Sequence, residues 1–198
     1  MPQAFPDLSL THGQLLWALS EGREPSKLFS DQARYLRQLG IPKKSVEDAK
    51  GSGNRIRYDF HDLAELGLAV AGLKLRFQPK DIKAVIDGER EGIRKAVEAA
   101  WHELPEKALE QDWIKSRGSA KAILDEELYL RLHDRRSEQW GKLDLVGPND
   151  NLTAGRQLLD PVERMPDGQT FDLIAIKQSI LPWVAWALEA PDTRTGPK

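Results

Sequence analysis

The sequence predicts a mainly α protein with one short β hairpin in its first half and a small α or α+β C-terminal region. Three observations carry that expectation. Apolar residues recur at intervals of three and four through most of the stretch up to residue 104, which is the periodicity of amphipathic helices. In that stretch a single run, Arg55-Ile56-Arg57-Tyr58, alternates at strand period, shortly after Gly51-Ser52-Gly53, a triplet suited to a tight turn. At 198 residues, 40% apolar and 30% charged, the chain has the material for a packed core and a charged surface.

The elements follow in order. Residues 10–21 place Leu15, Leu16, Trp17 and Leu19 close enough in helical period to bury a face, and Gly22 ends that helix. Pro25 discourages continuation. A second helix starts at Lys27 or Ser30, with Ser30 or Asp31 as N-cap, and runs to Leu39. Phe29, Ala33, Leu36 and Leu39 form its inner stripe, and Gly40 and Pro42 stop it. Two short helices with a tight break have the outline of a helix-turn-helix. The polar connector through GSG leads to the RIRY strand, one arm of a wing hairpin.

Asp59 caps a third helix whose face is Leu63, Leu66, Val70 and Leu73. Gln78-Pro79 opens a fourth, with Pro early and Asp81 in the first turn, both suited to a helix N-terminus. Ile82, Val85 and Ile86 are its apolar face, and Ile93, Val97, Ala100 or Trp101, and Leu104 carry the helical pattern onward until Pro105 interrupts it. In the last third, residues 122–140 read as helix, with Ile123, Leu124, Leu128, Leu132 and Trp140 inward. KLDLV and TFDLIAI read as short strands or strand–helix ambiguities, Met165-Pro166-Asp167-Gly168 as a turn, and SILPWVAWAL as a buried final helix ahead of a frayed tail. The domain division expected is 1–86, a winged-helix unit; 87–116, a connecting and dimerisation helix; and 117–198, a C-terminal domain without an assigned role.

Composition excludes several classes. There is no cysteine, hence no disulfide, thiolate metal site or thiol sensor. His12, His61, His102 and His133 lack zinc-site spacing, so no metal or other cofactor is expected. The N-terminus has no basic segment followed by an apolar core, and ILPWVAWAL is too short to span a bilayer. No membrane role is expected, and the location expected is cytoplasmic, at the nucleoid. No Walker-type loop, nucleophile elbow or paired histidine is present, and the consecutive carboxylates Asp125, Glu126 and Glu127 would diverge on a helix. Catalysis is not expected.

Charge is unevenly placed. The whole chain carries a net −2, but residues 1–86 hold 13 Lys/Arg against 10 Asp/Glu, and residues 34–57 hold seven basic side chains against two acidic ones. A compact basic island on a near-neutral chain fits a nucleic-acid-facing patch, although a solvated loop reads the same way taken alone. On the second helix Arg34 and Arg37 lie three residues apart, with Gln32 and Gln38 nearby and Tyr35 able to offer its hydroxyl to a phosphate. Arg can bind guanine bidentately or bridge phosphates, and Gln can read adenine. Lys43, Lys44, Arg55, Arg57 and Tyr58 complete the expected DNA-binding set. Five of the six tryptophans fall after residue 100, where they fit core or dimer packing better than an aromatic ligand pocket.

These residues resemble the MerR family of transcription regulators. The resemblance rests on Arg34-Tyr35-Leu36-Arg37-Gln38-Leu39-Gly40-Ile41-Pro42, then Arg55-Ile56-Arg57-Tyr58 ahead of Asp62-Leu63, then Gln78-Pro79-Lys80-Asp81-Ile82-Lys83. It covers about residues 30–86. It implies a winged-helix reader of duplex DNA that dimerises through the helix following the domain, here from about Asp87. The family's metal sensors use cysteines, which this chain lacks.

The function expected is therefore a sequence-specific, double-stranded-DNA-binding transcription regulator acting as a homodimer, with a small-molecule effector at the C-terminal domain as an option. An accessory DNA-binding protein of a phage or mobile element, excisionase- or partition-like, would use the same surface. A protein-interaction module would present its basic face to an acidic partner.

Overall fold

The computed structural model describes residues 5–43, 56–104, 109, 129–133, 143–146, 162–163 and 171–191. These residues are mainly helical. The helices are α1 (His12–Leu19), α2 (Lys27–Gln38), α3 (Phe60–Lys74), α4 (Pro79–His102) and α5 (Ile176–Leu188). Among the described residues no helix is long and apolar enough to cross a membrane.

The helix starts follow local chemistry. Thr11 caps α1 in a reciprocal arrangement with Gln14, each side chain bonding the other's backbone N–H. Asp59 and Asp62 do the same for α3. The N-cap of α2 is Ser26, not Ser30 or Asp31: its hydroxyl accepts the Phe29 N–H at 3.2 Å, while Ser30 lies inside the helix and donates back to the Ser26 carbonyl. The α2 exit forms a Schellman motif. Gly40 N–H bonds the Arg37 carbonyl and Ile41 N–H the Leu36 carbonyl, with Gly40 at φ +83° and Ile41 fully buried.

At the centre is α3, which buries 12 of its 15 residues. The sequence pattern exposes one apolar stripe on this helix, whereas the structure covers it nearly all round. α4 and α5 lie against it, and α1 and α2 close the remaining sides. α5 seats by shape. An added Cβ on Gly67 of α3 would fall 2.4 Å from the Trp183 ring, so the indole occupies space that only glycine leaves open. Trp186 sits over Gly22 in the same manner and meets Trp17 edge-on at 5.4 Å. The tryptophan signal of the last helix is core packing.

The position 86/87 lies inside α4, which continues unbroken to His102 ahead of Pro105. α5, the last helix of the chain, packs on α1, α3 and α4 and so belongs to the same helical body as the first.

Four strands, β1 (Tyr129–His133), β2 (Leu143–Val146), β3 (Val162–Glu163) and β4 (Phe171–Ala175), form an antiparallel sheet in the order β2-β1-β4-β3. Two of these, β2 and β4, match runs read as short strands. β1 corrects the helical reading of residues 122–140 over its five residues: Tyr-Leu-Arg-Leu-His alternates, and pairing on both sides, to β2 and β4, supplies backbone partners that a lone apolar pattern does not reveal. β4 runs directly into α5. The remainder of 122–140, the 165–168 turn and the terminal tail lie outside the described residues.

Candidate nucleic-acid interface

The surface begins with how α2 sits. Ala33 and Leu36 are buried, and Phe29 packs partly beneath. At 100° per residue this turns Lys27, Asp31, Arg34, Tyr35 and Gln38 outward, and all five are exposed. Gln32 and Arg37 flank the face and are half-buried. Arg34 pairs with Asp31 at 3.3 Å, an exposed contact that leaves its guanidinium available to a stronger anion.

Leu28 is the residue that the sequence pattern misses. It is 70% exposed in the first turn of α2, and Tyr35, 42% exposed, stands seven residues on, hence on the same side. Its signal was present: Leu28 is out of phase with the Phe29, Ala33 and Leu36 stripe.

The segment before α3 pairs with the residues just before α1. Tyr58 and Leu10 exchange two backbone hydrogen bonds of 2.9 Å in an isolated antiparallel bridge. Arg57 is exposed and donates from Nη1 to the Ser9 carbonyl at 3.2 Å. Tyr58 points the other way. At 2% exposure it is a core residue beside His12, at 6.1 Å between ring centroids, and it leaves the set of DNA-facing side chains. Strand alternation explains the swap, since Arg57 out requires Tyr58 in. Lys44 and Arg55, with the rest of the 44–55 connector and hairpin, lie outside the described residues.

His12, in the first turn of α1, reports the electrostatics. Burial pushes its pKa down from the ordinary 6.5 to about 4, and the charges of Arg37 and then Arg34 push in the same direction. Its Nδ1 is buried without a hydrogen-bond partner.

Lys43, also exposed, follows the α2 exit, and a buried ion pair stands behind it. Glu65 on α3 has a side chain only 5% exposed. It accepts from Arg90 Nε at 3.1 Å and Nη2 at 3.0 Å, and its Oε1 also takes the Lys43 backbone N–H at 3.2 Å. Arg90 reaches Asp87 at 3.1 Å, and Asp87 pairs with Lys83. Burial alone would lower the Arg90 pKa, but the hydrogen bonds and charges of Glu65 and Asp87 outweigh it and hold that pKa above its ordinary value. The Lys83 hydrogen bond does most to hold the Asp87 carboxyl below the usual range, and burial opposes it.

Comparison of the chain with protein-family models, with curated proteins and with solved structures finds no match.

Proposed function

We propose that the chain is a duplex-DNA-binding transcription regulator of winged helix-turn-helix type, similar to the MerR family, with α2 as the recognition helix. The observation that carries this reading is the outward face of α2. It presents Lys27, Arg34, Tyr35 and Gln38 together, beside Arg37. Phosphate contacts from Arg34, Lys43 and Arg57 supply affinity, and base-edge contacts from α2 supply sequence preference. Leu28, near the N-terminus of that helix, suits an apolar contact to a thymine methyl. Binding as a homodimer would favour inverted repeats.

Selection of bound sequences from a random duplex pool tests this, followed by titration of the selected duplex at several salt concentrations. An enriched motif and a steep salt dependence are expected, with Arg34→Ala and Arg57→Ala each flattening the log–log slope by about 0.9. Tight binding by both variants with the parent's slope would sink the assignment. An acidic protein partner in place of DNA would leave the pool unenriched.

A further inference from the structure

Resting on the reading of α2 as a DNA-binding helix, we propose that Glu65 is a positioning residue for that surface: held by Arg90, its carboxylate grips the Lys43 backbone and so fixes where the Lys43 ammonium meets a phosphate.

Three features point there. A carboxylate buried within α3 is costly unless its lone pairs are filled, and an apolar pair of similar volume is often at least as stable as a buried ion pair. Stability alone is therefore a poor account of Glu65 and Arg90. Arg90 fills both oxygens in the side-on geometry that a guanidinium fork favours, which fixes the carboxylate in direction as well as charge. The remaining acceptor capacity of Oε1 goes to a main-chain N–H rather than to another side chain.

That N–H belongs to Lys43, at the end of the path leading out of α2. Upstream, the Schellman bonds of Gly40 and Ile41 and the burial of Ile41 and Pro42 pin the backbone. At Lys43 the side chain turns to solvent, and Glu65 fixes the backbone that carries it. The arrangement spans α2, α3 and α4, so the α4 side of the body reaches the DNA-facing side through one carboxylate. Asp87 and Lys83 extend it along α4 and steady the Arg90 fork from outside. Because Glu65 is buried, its contribution is not a contact with DNA. It acts by lowering the freedom of a cation that must otherwise be ordered on binding.

The test uses the full chain and the duplex selected above. In Glu65→Leu/Arg90→Met both charges leave together, so the core stays paired while the Lys43 N–H loses its acceptor. Exchange of the Lys43 amide should accelerate. The salt slope should fall by about 0.9, so that the loss of affinity between about 50 and about 200 mM salt shrinks roughly three- to fourfold. Lys43→Ala should lower the parent's slope by the same amount and should add nothing in the double-variant background. A role in stability alone would leave the slope at the parent's value and make Lys43→Ala additive, and either result overturns the proposal. Should the double variant not fold, Glu65→Asp decides. It keeps a charge for Arg90 but draws the carboxylate back from Lys43, and a parental slope and amide exchange in that variant would overturn the proposal. A parent with no salt-dependent duplex binding refutes the functional reading itself, whereas a binding parent with parental behaviour in the variants refutes only the role of Glu65.

Discussion

Two faces of α3 are held by opposite means. Toward α5 the contact is one of shape, an indole over a glycine, with Trp183 filling the space at Gly67. Toward α4 a contact of charge stands among the apolar ones, with Glu65 gripped by Arg90 and gripping Lys43 in turn. The first contact is sensitive to volume and indifferent to pH and salt. The second is directional and fixes particular atoms. The difference teaches that the indole contact acts through volume, while the ion pair acts through direction and holds the Lys43 backbone.

The largest expected effect comes from breaking the polar side alone. Glu65→Ala leaves Arg90, whose side chain is only 16% exposed, without its main counter-charge, and should cost about 3 kcal/mol in denaturant unfolding. Joining Arg90→Met to it should return most of that loss; no recovery would mean that the cost lies elsewhere than in the stranded charge.

On the apolar side, Gly67→Ala drives a methyl into the Trp183 ring and should destabilise by about 1–2 kcal/mol, net of the helix-propensity gain that alanine brings. In a Trp183→Ala background the same change should turn neutral or stabilising. Equal cost in both backgrounds would contradict the seating of α5 described above.

A smaller, pH-dependent effect sharpens the contrast. The unfolded chain protonates His12 as the pH falls through 6.5, whereas the folded chain does so only at about 4. Between those values the unfolded state binds more protons, so stability falls as the pH drops through that window and is unaffected above it. Asp87 works in the window beneath: its depressed pKa stabilises the fold above 3.8, and that contribution is lost as the pH falls further. His12→Gln should flatten the fall between pH 6.5 and 4 in a series of urea midpoints; an unchanged profile would show that another group is responsible.

The smallest effects on stability belong to the exposed face of α2. Leu28→Ala and Arg34→Ala should change the unfolding free energy by no more than about 0.5 kcal/mol. On the selected duplex they should separate: Arg34→Ala flattens the salt slope, while Leu28→Ala keeps the slope and weakens preference at a thymine position by about 1 kcal/mol. A flattened slope for Leu28→Ala would remove it from base reading.

Much of the helical fold is legible in local patterns. Asp59 before α3 and Pro79 at the start of α4 are effects of a few neighbouring residues, and they can be read directly. The Ser26 cap was harder, because Ser26, Ser30 and Asp31 are all capable, and the choice depends on which turn Phe29 packs under the helix. The site was legible in part for the same reason. Arg34, Arg37, Gln38, Lys43 and Arg57 can be proposed from residue type and spacing, whereas Tyr58, grouped with them by residue type, lies on the opposite face of the same alternating run and is buried.

Sequence by itself determined the helix periods, the Asp59 cap of α3 and the Pro79 start of α4, and the basic island, since each depends on contacts within a few residues. Only the tertiary structure decided that α5 returns to pack beside α1, that β1 is a strand, that Tyr58 is buried, and that Glu65 finds Arg90 and Lys43. Those outcomes join residues distant in the chain, and their energies come from complementary shapes and charges that do not exist until the helices meet. A lone glutamate in an apolar helix announces that it needs a partner, but it does not name one.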